Sequence, residues 1–133
     1  MYKFEFTLQG LPPTTNSMGR KHWAVKARAA RDWKGLVSLA VVGHRPKTPL
    51  QKAKLTLIRY SSSEIDPDGL VSSFKHILDG LVFAKIILND KISNIGMPEY
   101  IWHKCKRGQG KITIKIEELS NEDLHHNPLQ SSG

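Results

Sequence analysis

Residues 53–84 read AKLTLIRYSSSEIDPDGLVSSFKHILDGLVFA, which places a strand, a polar loop and a helix in succession. Residues 53–60 are apolar and rich in β-favouring side chains, as is typical of a strand. Residues 61–69 are rich in Ser, Asp, Pro and Gly, which favour a loop. A helix is predicted from about Asp68 or Gly69 to Ala84. Its apolar stripe consists of Leu70, Phe74, Ile77, Leu78 and Leu81.

The N-terminal side of this stretch adds one strand and one helix. Apolar and polar residues alternate over residues 2–8, which predicts a half-buried strand. The sequence GLPPTTNS at residues 10–17 predicts a loop. Spacing then predicts a helix from about Trp23 to Val42, with one apolar and one basic face.

The C-terminal side adds two strands and completes the predicted architecture. Strands are predicted at residues 97–106 and 111–118, and the segment 107–110 favours a hairpin between them. The order β-α-β-α-β-β predicts an α+β fold: a mixed, mostly antiparallel β-sheet with two main helices packed on it. We expect one domain over residues 1–119 and a frayed polar tail over residues 120–133.

Composition restricts the classes of protein to consider. No apolar run among the 133 residues approaches the ~18–20 that a membrane-spanning helix needs, and the N-terminus does not resemble a secretory signal. Cys105 is the single cysteine, so no intrachain disulfide can form and a cytoplasmic location is expected.

The positive charge is concentrated in the first half of the chain. Net charge is +8, and residues 1–60 hold twelve Lys and Arg against two acids. Such a half should attract a polyanion, because neutralised phosphates release counterions. Many small basic proteins bind no nucleic acid, so charge alone leaves both interpretations open.

Candidate metal ligands cluster around the second predicted helix. Asp66 and Asp68 are separated only by Pro67, which pushes Asp66 away from helical geometry, so the two carboxylates can converge on one cation. Asp90 lies in a polar break and could supply a third carboxylate. At about 100° per residue, Lys75 and Asp79 share one polar face with Asp68. Helix capping and a solvated helix face explain the same residues without a metal.

Taken in order, these motifs resemble the RusA family of Holliday junction resolvases, common in phages and prophages. The resemblance covers most of residues 2–118. It rests on Leu11-Pro12-Pro13 and Asn16, on Asp66-Pro67-Asp68-Gly69-Leu70, on Lys75 and Asp79-Gly80-Leu81, and on Ile87-Leu88-Asn89-Asp90. Gly69 stands where the family usually has Asn, and Asn89 replaces the first acid of its usual pair.

The resemblance implies a homodimer that nicks four-way DNA junctions during recombination and repair, in the cytoplasm of a bacterium or phage-infected cell. Asp66, Asp68 and Asp90 match the catalytic acids that bind Mg²⁺, with Mn²⁺ as a substitute, and Lys75 matches a functional lysine. Asp79 and Asn89 are expected to support them. No small-molecule cofactor is expected.

The basic first half is expected to contact DNA phosphates around the junction. The residues expected to make these contacts are Arg20, Lys21, Lys26, Arg28 and Arg31. Alternatives are a non-catalytic or degenerate DNA-binding relative, a partner-binding protein whose acids only cap a helix, and an RNA-directed nuclease.

Overall fold

The computed structural model describes residues 1–14 and 23–120, and the chain there forms four strands and four helices. In chain order these are β1 (Lys3–Gln9), α1 (Trp23–Ala40), β2 (Ala53–Ser61), α2 (Pro67–Ser73), α3 (Lys75–Phe83), α4 (Ile92–Ile95), β3 (Glu99–Lys104) and β4 (Lys111–Glu118). The prediction of an α+β fold with a mixed, mostly antiparallel sheet is confirmed.

The four strands form one sheet in the order β1-β4-β2-β3. Strand β4 is antiparallel to both of its neighbours, with Phe6 opposite Ile114 on one side and Leu57 opposite Ile114 on the other. Strand β3 runs parallel to β2 at the edge, with Leu57 opposite Tyr100. A parallel pair needs a long crossover connection, and α2, α3 and α4 supply it.

The predicted hairpin at residues 107–110 is wrong. Strands β3 and β4 are not neighbours, because β2 lies between them. The segment 105–110 instead crosses the end of β2, where the amide of Cys105 donates to the carbonyl of Ser61 at 3.1 Å. Turn-forming residues predict a change of direction, but they do not determine which strand the chain pairs with next.

One face of the sheet carries the core. Along β1 and the second half of β4, buried residues on this face alternate with exposed ones, as expected for a sheet covered on one side. Helices α1 and α3 cover the core face. On the opposite face, the paired residues Ile58 and Thr113 are also buried. The largest fully buried side chains are Phe74, Leu55, Leu57, Ile77, Leu81, Ile86, Ile87, Ile112, Ile114, Ile116, Val37 and Val41.

Helices α1 and α3 cross at Gly80. A Cβ atom placed there would lie 3.0 Å from the Cβ of Val37 and 3.1 Å from its Cγ2. These distances are shorter than ordinary van der Waals contact between carbons. The close approach of the two helices therefore depends on the missing side chain at residue 80.

The second predicted helix is interrupted at Phe74, where φ is −97° and ψ is 2°. The hydroxyl of Ser72 donates to the carbonyl of Gly69 at 3.2 Å, and that of Ser73 donates to the carbonyl of Leu70 at 2.8 Å. Serine hydroxyls that bond to the backbone in this way compete with regular helical bonding. The expectation that one continuous helix aligns residue 68 with residues 75 and 79 is therefore wrong.

The structure includes no helix, within residues 1–14 and 23–120, whose length and apolar character would let it cross a membrane. The tail that we expect to be frayed, apart from residue 120, lies outside the described residues. So do residues 15–22, which include Asn16 of the resemblance.

Candidate functional site

Two exposed carboxylates mark the start of α2. Asp66 precedes the helix with extended backbone angles (φ −74°, ψ 159°), as expected for a residue followed by Pro67, which occupies the first turn. Asp68 lies in that turn, and both aspartates are exposed. Asp66 thus has the position of a capping residue, yet its carboxylate makes no capping hydrogen bond.

Neither carboxylate has a protein partner in the described parts of the chain. Asp66 and Asp68 take part in no ion pair there, and neither side chain accepts a hydrogen bond within residues 1–14 and 23–120. An aspartate that only capped the helix would accept a backbone N–H bond. Both side chains are therefore free to bind a ligand from solvent.

Gly69 determines how the Asp66 carboxylate lies. A Cβ atom at residue 69 would approach Asp66 Oδ1 to 2.7 Å and Ile65 Cγ1 to 3.1 Å. The carboxylate therefore folds back over the first turn of α2, into space that any side chain at residue 69 would occupy. This gives a local role to Gly69, which departs from the asparagine of the resembling family.

Residues far apart in sequence meet at Lys75. Its ammonium lies 3.1 Å from Asp79 Oδ1, one helical turn along α3, and 3.2 Å from Asp90 Oδ2. Sequence spacing predicted the proximity of Lys75 and Asp79. The contact with Asp90 arises only because the segment after α3 folds back beside the start of that helix.

The ion pairs keep Lys75 charged. Hydrogen bonds to Asp79, and then to Asp90, raise the pKa of Lys75 above its ordinary value, against an opposing effect of burial. Its side chain is nevertheless 61% exposed, so solvent screens both pairs and they add little to stability. The arrangement therefore supplies a protonated, accessible ammonium group and contributes little to the stability of the fold.

The turn that carries Asp66 and Asp68 and the segment that carries Asp90 both lie on the β3 side of the sheet. Helix α2 packs against β3. The ring of Phe74, between α2 and α3, lies 6.0 Å from the ring of Tyr100 on β3. Burial raises the pKa of Tyr100, and the charge of Asp90 adds to that increase. Asp90 is thus close enough to Tyr100 for its charge to be felt there.

The three expected metal ligands are not gathered into one group. Over residues 1–14 and 23–120, no three His, Cys, Asp or Glu side chains are arranged to hold a metal ion. In donor chemistry Asp66 and Asp68 suit Mg²⁺, which usually takes one or two carboxylates together with phosphate oxygens. To bind the same cation, the Asp90 carboxylate would have to leave its ion pair with Lys75. Asn89 Oδ1 accepts a hydrogen bond from the backbone amide of Lys91 at 3.0 Å, a bond typical of turns.

The residues expected to bind DNA are only partly described. Arg20 and Lys21 lie outside the described residues. Lys26, Arg28 and Arg31 are exposed on α1. Four large, exposed apolar residues also lie on α1. These are Trp23, Val25, Leu36 and Leu39.

Sequence reasoning missed a buried arginine beside residues 10–14, the loop that contains Pro12 and Pro13 and is called the Pro-Pro loop below. Arg59, on the central strand β2, is only 8% exposed, and its Nη1 donates to the carbonyl of Pro12 at 3.0 Å. Burial lowers the pKa of Arg59. The one signal in the sequence is a charged residue at an inward-facing position of an alternating strand. The bond holds the loop at Pro12 next to β2.

No protein-family model matches the chain, and the search of curated proteins finds no significant match.

Proposed function

We propose that this protein is a Mg²⁺-dependent endonuclease that cuts branched DNA, with four-way junctions as its substrate, in the cytoplasm of a bacterium or phage-infected cell. The observation that carries the proposal is the pair of exposed carboxylates at the start of α2: Asp66 occupies the capping position without making a capping bond, and Asp68 lies in the first turn. The ordered motifs that resemble the RusA family also support it.

Phosphodiester hydrolysis needs charge neutralised on the phosphoryl group and a water made nucleophilic, and a bound divalent ion supplies both. In the proposal Asp66, Asp68 and Asp90 would hold that ion beside the scissile phosphate. Lys75 would keep Asp79 as its carboxylate partner, and the hydrogen bond to Asp79 is the largest cause that raises the pKa of Lys75. Lys75 therefore acts by stabilising negative charge on the phosphoryl oxygens rather than by accepting a proton.

The basic residues position the DNA in this proposal. Lys26, Arg28 and Arg31 on α1, with Arg20 and Lys21 before it, contact backbone phosphates, which fix orientation without reading sequence. A homodimer suits the substrate, since a two-fold junction offers two equivalent strands to two equivalent sites.

The direct test compares cleavage of a synthetic four-way junction with cleavage of linear duplex, each with and without Mg²⁺. The Asp68→Asn variant is expected to lose cleavage while it keeps or tightens junction binding, because it loses a metal ligand and a negative charge together. Glu117→Gln is the matched control, since Glu117 is an exposed acid near the end of β4 that has no part in metal or DNA binding in this proposal. It should cleave as the parent does. Full activity in Asp68→Asn would rule out this assignment.

A second test addresses DNA binding. Replacing Arg20 and Lys21 with glutamine is expected to weaken junction binding broadly. It should reduce the slope of log affinity against log salt by about 2, roughly one per lost phosphate contact. An unchanged slope would show that both residues face away from DNA.

One observation favours a second candidate, a DNA-binding relative without catalytic activity. Lys75 engages Asp90, and the three carboxylates do not form one group within residues 1–14 and 23–120. Junction binding without Mg²⁺-dependent nicking in the parent protein would identify this alternative.

A further inference from the structure

The face of the sheet opposite the helices is open. Side chains on this face come from the positions that alternate with the core, and no helix packs on them within residues 1–14 and 23–120. On β1 and its neighbour β4, Lys3, Glu5, Thr7, Lys115 and Glu117 are exposed on this face.

Charge is unevenly distributed over this open face. At the end where β1 begins, lysines alternate with acids: Lys115 lies 3.9 Å from Glu5, and Lys3 and Lys54 both stand opposite Glu117. Opposite charges there neutralise one another. The other end, where β2 and β3 finish and β4 begins, has a different composition.

A basic surface occupies that second end, and we call it the strand-end patch. Tyr60, His103 and Lys111 lie on the open face. Lys104, the last residue of β3, points to the other face, and Lys106 and Arg107 follow it in the connecting segment. Lys104, Lys106 and Arg107 are exposed, and Lys111 Nζ lies 5.0 Å from the centre of the Tyr60 ring. The Tyr60 and His103 rings are 5.4 Å apart. The Tyr60 ring thus attracts the Lys111 ammonium by a cation–π interaction.

The strand-end patch adjoins the candidate site. The loop that leads from β2 to Asp66 leaves the same end of the sheet, and the segment carrying Lys106 and Arg107 crosses the end of β2 beside Ser61. The amide of Gly10 donates to the carbonyl of Gly110 at 2.9 Å. Patch, Pro-Pro loop and acidic turn are therefore grouped at one end of the molecule.

We propose that the strand-end patch binds the phosphate backbone of a DNA arm next to the cleavage site. This inference rests on the proposed function and adds a second DNA contact surface to α1. Charge complementarity selects the partner, since none of the four cations of the patch forms an ion pair with an acid within residues 1–14 and 23–120. Lys111 covers one face of the Tyr60 ring, so the contact is with phosphates rather than by base stacking, and it is independent of sequence.

The test measures junction affinity by fluorescence anisotropy over a salt series, without divalent metal so that no cleavage occurs. The patch variant carries Lys104→Gln, Lys106→Gln and Arg107→Gln. We expect its log–log salt slope to fall by about 2 to 3 and its affinity at low salt to fall more than about tenfold. The matched control carries Lys3→Gln, Lys54→Gln and Lys115→Gln. It removes the same charge from the neutral end of the open face and should leave the slope unchanged.

The outcomes separate this inference from the proposed function. If the parent binds DNA and the patch variant keeps the parental slope, the inference is overturned and the proposed function stands. If the parent binds no junction DNA, both fail. Equal losses in patch and control variants would indicate a general charge effect and overturn the inference. A changed sedimentation coefficient of the patch variant with unchanged affinity would assign the face to a second copy of the chain, and would also overturn it. Should the triple variant not fold, Lys104→Gln and Arg107→Gln singly should each lower the slope by about 0.9.

Discussion

The crossing of α1 and α3 gives a stability prediction with a built-in control. Two helical glycines, Gly35 and Gly80, can each be changed to alanine. In an exposed helix position this substitution stabilises a protein by about 0.8–1.0 kcal/mol, because glycine loses more backbone entropy on folding. A Cβ at Gly35 would meet nothing within 4 Å, so Gly35→Ala should gain about that amount.

The same change at Gly80 meets a rigid neighbour. The new Cβ would lie 3.0 Å from Val37 Cβ, 3.1 Å from Cγ2 and 3.3 Å from Cγ1. Valine is stiff about χ1, so its methyl groups cannot rotate away, and the helices must separate by a few tenths of an ångström. Overpacking of this kind costs about 1–3 kcal/mol. The gain in helix propensity is common to both substitutions, so Gly80→Ala should be about 2 kcal/mol less stable than Gly35→Ala, the middle of the overpacking range.

Urea unfolding followed by circular dichroism measures both variants against the parent. A third protein, Gly80→Ala with Val37→Ala, tests the cause, because it removes the Cγ2 and Cγ1 contacts at 3.1 and 3.3 Å and leaves only the Cβ contact at 3.0 Å. Its free energy of unfolding should exceed, by about 1 kcal/mol, the value expected if the effects of the two single substitutions were additive. Equal stabilisation by both glycine substitutions would refute the close helix crossing.

Three further predictions concern the buried polar groups of the fold. Replacing Arg59 by Met removes the donor to the Pro12 carbonyl, so amide hydrogen exchange in residues 10–14 should accelerate; unchanged protection would show that the bond does not order this loop. Burial lowers the pKa of His76 below its ordinary 6.5, so the unfolded chain binds more protons in acid and stability declines as pH falls below that value. His76→Gln should therefore lose less stability than the parent between about pH 7 and about pH 5 in urea titrations, and an identical loss would contradict this. Ser61→Ala leaves the indole N–H of Trp102, now bonded at 2.8 Å, without its acceptor and should cost about 1–2 kcal/mol; a variant as stable as the parent would show that water replaces the hydroxyl.

Much of the fold could be predicted from local patterns. The strand predicted at residues 111–118 matches β4, and that predicted at 53–60 is one residue shorter than β2 (Ala53–Ser61). Period-two alternation identifies such strands because it reflects which face each side chain must bury. The hairpin at 107–110 could not be judged in this way, since strand order depends on contacts across the sheet. The interruption at Phe74 also escaped prediction, because the periodicity of the apolar stripe continues through it.

The candidate site was predictable in part. The turn at Asp66 was inferred from the restriction that Pro67 places on the preceding residue, and its extended backbone agrees with this. The freedom of its carboxylate was not predictable, since capping and ligand binding use the same residue type. The partner of Asp90 was not predictable either, because fifteen residues separate it from Lys75.

The sequence by itself determined the four strands and the two main helical segments in outline, the apolar stripe of the second segment and the stiff acidic turn, because these follow from interactions over a few neighbouring residues. Only the tertiary structure decided that β4 enters the sheet beside β2, that Lys75 meets Asp90, and that the basic residues of the strand-end patch lie at the same end of the sheet. Those relations join segments that are distant along the chain. They are set by the burial of a shared core, whose free energy depends on all the elements together.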